Sequence, residues 1–77
     1  MTFLIARYEK DSDLTDIRWD VTHLGAPALR KVFGVEPGGD IGDVYRITTE
    51  HAATLTELTT IAFDLDTYEY YLEPEAD

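Results

Sequence analysis

Seventy-seven residues without a cysteine make a single domain, 1–77, that is expected to fold without disulfides or thiolate metal sites. Six Lys+Arg against 16 Asp+Glu give a net charge of −10, which disfavours nucleic acid and anionic membranes as direct partners and favours a basic protein. The imbalance is uneven. Residues 1–46 hold eight acids and six bases (net −2), whereas residues 47–77 hold eight acids and no base (net −8). The N-terminal apolar run, Phe3 to Ala6, is too short for a signal peptide or a membrane span, so a soluble, cytoplasmic protein is expected.

Thr2 to Glu9 (TFLIARYE) is β-branched and aromatic and predicts a first strand, with Leu4, Ala6 and Tyr8 on one side and Phe3 and Ile5 on the other. Lys10 to Asp13 (KDSD) is a turn cluster. Asp16 to Thr22 (DIRWDVT) alternates, with Ile17, Trp19 and Val21 inward and Arg18 and Asp20 toward water, so the two runs should form an antiparallel hairpin. In GAPALRKVFG, Pro27 suits the first turn of a short helix. Ala28, Leu29, Val32 and Phe33 form its apolar stripe, and Gly34 is a left-handed stop.

Val35 to Asp43 is a Gly- and Pro-rich loop, and Val44 to Ile47 reads as a short extended entry rather than a full strand. Thr48 or Thr49 can cap a second helix. Ala52, Leu55 and Leu58 or Thr59 would form its buried stripe, and its end near Thr60 is expected to fray. The chain closes with a strand, DTYEYYLE. It puts Tyr68, Tyr70 and Leu72 on one face and Thr67, Glu69, Tyr71 and Glu73 on the other, and it is expected to pair beside the first strand. The expected architecture is α+β: a three-stranded antiparallel sheet with two short helices on one face, in the order β-β-α-α-β.

No catalytic constellation emerges, and no enzyme is expected. Ser12 sits in a polar turn with no histidine in its pattern. His23 falls at a strand-to-helix junction and His51 in the first turn of the second helix, where an exposed helix histidine is the plainer account. DSDLTD (Asp11 to Asp16) fails as a calcium loop, having Asp16 at its sixth position and Thr22 at its twelfth. DLD (Asp64 to Asp66) is a poor magnesium site without a phosphate ligand. PGGDIGD lacks a lysine and carries two aspartates, which opposes phosphate binding. No metal or cofactor is therefore expected.

A binding role is what remains. Tyr71, between Glu69 and Glu73, is not required by strand structure alone. With Asp66 and Glu75, and Asp77 in the tail, these residues form a candidate partner-binding set in which tyrosine anchors and charge steers. An acidic outer face that only keeps an edge strand from aggregating is the competing account.

The hairpin opening, LRKVFGV (Leu29 to Val35), YRITTEHA (Tyr45 to Ala52) and DLDTYEYYLE (Asp64 to Glu73) resemble a family of small, acidic, single-domain bacterial proteins reminiscent of the immunity proteins of polymorphic or contact-dependent toxins. The resemblance implies an α+β fold and toxin neutralisation by protein–protein contact, and it implies no named site. The expected function is an immunity-type inhibitor of a basic toxin, such as a nuclease. The alternatives are a DNA mimic that blocks a nucleic-acid-binding protein, or a non-catalytic module of a salt-adapted organism. Monomer and homodimer both remain open.

Overall fold

The structure is a computed structural model that describes residues 1–12, 14–36, 38–39 and 41–76, and of Asp16 the backbone alone. The parts of the predicted turn, loop and tail that fall on Asp13, Pro37, Asp40 and Asp77 lie outside the described residues. In chain order the elements are β1 (Thr2–Glu9), β2 (Thr15–Asp20), a 3₁₀ turn (Thr22–Leu24), α1 (Ala26–Phe33), β3 (Tyr45–Arg46), α2 (Thr49–Leu58) and β4 (Tyr68–Glu75). The sheet is antiparallel, with strand order β2-β1-β4-β3.

The predicted helices and the pairing of the first and last strands are present, but the sheet has four strands rather than three. The short run read as an extended entry supplies the extra one. Tyr45 pairs with Leu72 and Arg46 with Tyr71, and Ile47 N–H continues the contact to Tyr70 O at 2.9 Å. Two residues are below the length at which side-chain alternation is legible, so the pairing depends on β4 being next to them.

Local chemistry explains the helix ends. Gly25 caps α1 with Pro27 in its first turn, and Gly34 stops it at φ 71°, a conformation that costs glycine little. Thr48 is the N-cap of α2. Its Oγ1 accepts the His51 N–H at 3.4 Å, while His51 Nδ1 accepts the Thr48 N–H at 3.2 Å. The His51 ring also lies 4.5 Å from that of Phe33, so this histidine joins the two helices. At the far end Thr59 Oγ1 donates to Leu55 O at 2.7 Å and accepts from Ile61 N–H at 3.2 Å, which seals the end expected to fray.

The core lies between the sheet and the helical layer: Phe3, Ile5, Tyr70 and Leu72 from the sheet meet Leu29, Ala52 and Leu55 from the helices. Ile41 and Ile61 add to it from segments outside the regular elements. Tyr70 is fully buried, stacked on Trp19 at 6.2 Å and touched edge-on by Phe63 at 4.9 Å. One inward assignment needs correction. Ile17 points toward the layer side but is 36% exposed, because β2 is the sheet edge and the cross-strand neighbour of Ile17 is Arg7. There the inner face is continued by the Arg7 guanidinium, 4.0 Å above the Tyr68 ring. Of the two residues offered for the end of the α2 stripe, Thr59 takes the half-buried position and Leu58 is exposed.

No helix among the described residues is long and apolar enough to cross a membrane.

Candidate protein-binding face

Strand alternation sends a second set of side chains to the sheet surface away from the helices. They are Leu4, Ala6 and Tyr8 of β1, Arg18 and Asp20 of β2, Arg46 of β3, and Glu69, Tyr71, Glu73 and Glu75 of β4. The register puts Ala6 between Arg18 and Tyr71, and Tyr8 opposite Glu69.

The two tyrosines organise this face. Tyr8 lies along its strand past Ala6, and its hydroxyl donates to Glu73 Oε2. Ala6 is fully buried as a result, although it belongs to the open face. Tyr71 reaches the other way and donates to Glu69 Oε2 at 3.2 Å. The rings meet edge to face, 5.6 Å apart at 81°, a favourable geometry for aromatic quadrupoles. Each glutamate also has an arginine. Arg18 Nε lies 3.9 Å from Glu73 Oε1, and Arg46 Nη2 lies 3.9 Å from Glu69 Oε1. Two Arg–Glu–Tyr groups thus flank the tyrosine pair. They border a shallow hollow of about 420 Å³ lined by Tyr8, Ser12, Val44, Glu69, Tyr71 and Glu73.

Of the expected site residues, Glu69, Tyr71 and Glu73 come together here, and Asp77 lies outside the described residues. Glu75 shares the face but sits at the end of β4, opposite Thr2. Asp66 stands apart: it precedes β4 and lines a depression with Thr49, Ala53 and Thr56 of α2. Asp64 accepts the Thr67 N–H on Oδ1 at 3.3 Å and so holds that turn.

The charges on this face are mixed. Glu69 and Glu73 are each offset by an arginine from residues 1–46, whereas the exposed acids Glu50, Glu57, Asp64 and Asp66 are carried by α2 and the segment before β4, and Glu75 lies at the end of the strand. Tyr8, Arg18 and Arg46 were not expected as site residues. Tyr8 shares an alternation face with Leu4 and Ala6, so the missing information was the β1–β4 register.

Both phenols are held above the ordinary tyrosine value of 10.0. For Tyr8 the leading cause is the hydrogen bond to Glu73, followed by burial; for Tyr71 it is burial, followed by the bond to Glu69. A raised value means that the folded state favours the neutral phenol. The resulting stabilisation is complete below pH 10.0 and is lost as pH rises through the folded values. Tyrosinate absorbance should therefore show Tyr8 and Tyr71 ionising above pH 10.0 in the native protein. Glu73→Gln removes the charge beside Tyr8 and should advance one of them. An unchanged titration curve in that variant contradicts the assigned pairing.

The sequence profile of a family described as "Domain of unknown function (DUF7683)" matches residues 2–73. No curated protein and no solved structure matches the chain.

Proposed function

The chain belongs to the DUF7683 family, whose description assigns no activity, and we propose that it is an immunity-type inhibitor that captures a basic protein, a cognate toxin such as a nuclease, on its open sheet face. The observation that carries this reading is the tyrosine pair, Tyr8 and Tyr71, set half-exposed between two glutamates on a surface that no helix among the described residues covers. Rigid amphipathic tyrosines bury area at small entropic cost, which is why they serve as interface anchors.

The arginine pairs fit such a role. Both are long at 3.9 Å, and the Arg18 and Arg46 side chains are 49% and 66% exposed. Ion pairs of this kind contribute about 0–1 kcal/mol, so a partner's lysine or arginine can displace them at little cost. The net charge of −10 acts at longer range, drawing a cationic partner in before contact. A nuclease offers such a surface, since it must hold phosphates. A DNA-mimic role draws on the same net charge, but Arg18 and Arg46 make the open face a poor imitation of a phosphate array.

The test is co-expression with the product of the neighbouring gene, followed by binding kinetics if growth is rescued. Association should slow by roughly tenfold or more between about 0.05 and 0.5 M salt, as screening removes the steering. Absence of rescue, or an association rate indifferent to salt, counts against the proposal.

A further inference from the structure

β2 forms one edge of the sheet, and its outer side has an organisation of its own. Val21 N–H donates to Phe3 O at 2.8 Å, while the Phe3 N–H goes to Thr22 Oγ1 at 2.9 Å, so the ladder ends there and this bond sets its phase. Antiparallel alternation makes Ile5/Trp19 and Arg7/Ile17 bonded pairs. The backbone N–H and C=O groups of Arg18 and Asp20 must therefore point away from β1. The opposite edge is blunted: β3 is two residues long, and further along β4 stands Pro74, which has no N–H. β2 has no proline, and its open-face side chains Arg18 and Asp20 are opposite in charge.

We propose that β2 pairs antiparallel with β2 of a second copy, with the two-fold axis at Trp19, so that two sheets become one continuous sheet. In that register Arg18 faces Asp20 of the second copy, and the reverse pair forms on the other side of the axis. Directly opposed residues have Cβ atoms about 5 Å apart, within reach of an ion pair. Thr22 N–H holds Asp20 Oδ1 at 2.8 Å and so orients the carboxylate. Sliding the axis by one residue, to Arg18, would oppose two arginines. The charge pattern thus selects the register as well as the partner. The pairing also brings Ile17, 36% exposed at this edge, beside the second copy.

Each copy carries −10, so long-range repulsion opposes this association, and salt relieves it. The salt dependence has the opposite sign to that of capturing a basic partner, so the two proposals succeed or fail separately.

Sedimentation equilibrium over a concentration series tests it. The mass should rise from 8.7 kDa toward twice that value as salt is raised to about 1 M, with a parallel shift in the emission of Trp19, the single tryptophan. Arg18→Pro removes an outward N–H while leaving the β1 ladder intact, and should abolish the dimer. Arg18→Asp should weaken it about tenfold or more, and adding Asp20→Arg should restore it. A mass of 8.7 kDa at every concentration in high salt overturns the proposal. So does a dimer that survives Arg18→Pro or is indifferent to Arg18→Asp.

Discussion

A Tyr70→Ala variant is expected to be largely unfolded at room temperature. Tyr70 is fully buried in β4, where it joins Trp19 from the hairpin to Phe63 from the segment before the strand. Its hydroxyl accepts the Asp64 N–H at 3.0 Å, tying that segment down. Truncating a buried aromatic residue costs about 3–5 kcal/mol, and the orphaned amide adds about 1 kcal/mol. A domain this small is expected near the low end of the usual ~5–15 kcal/mol, so the loss is comparable to the whole stability. Far-UV circular dichroism and urea titration measure the outcome. Tyr70→Phe keeps the packing and loses only the acceptor, so it should fall by about 1 kcal/mol and stay folded. A Tyr70→Ala variant that unfolds cooperatively with less than about 2 kcal/mol lost would mean that this ring is not the centre of the core.

The second large effect concerns the open face. Replacing Tyr8 and Tyr71 together with alanine should weaken capture of the basic partner by about 2–4 kcal/mol, roughly a hundredfold, mostly through faster dissociation. The two rings support one another edge to face, so the single variants should not sum to the double. Tyr71→Ala also releases Glu69, leaving its carboxylate to Arg46 alone among the contacts described. Asp66→Asn is the contrast. Asp66 lies toward α2, so its loss should slow association slightly through the overall field and leave dissociation unchanged. Calorimetry or surface-based kinetics on folded variants separates the two. If Asp66→Asn hurts binding more than the tyrosine pair does, the docking surface is the helical side.

The alternation of DIRWDVT and DTYEYYLE, the Gly34 stop and the threonine before the second helix are local signals, and each corresponds to an element in the structure. The error in strand count came from Tyr45 and Arg46, whose extended state is imposed by the neighbouring β4. The misjudged Ile17 has the same origin. Alternation shows which face a residue takes, but not how far the helical layer reaches over it.

The site divides in the same way. Tyr71 between two glutamates was visible because period-two spacing and residue type are properties of the chain itself. The partnership of Tyr8 with Glu73, 65 residues away, was not visible, and neither were the arginines that offset both acids. Those contacts depend on the β1–β4 register and on which strands flank the pair, quantities that no local window contains. Composition therefore determined that the molecule is strongly acidic. Only the packed sheet decided that the acids beside the tyrosines have cations next to them, because screening between charges depends on distances set when remote strands meet.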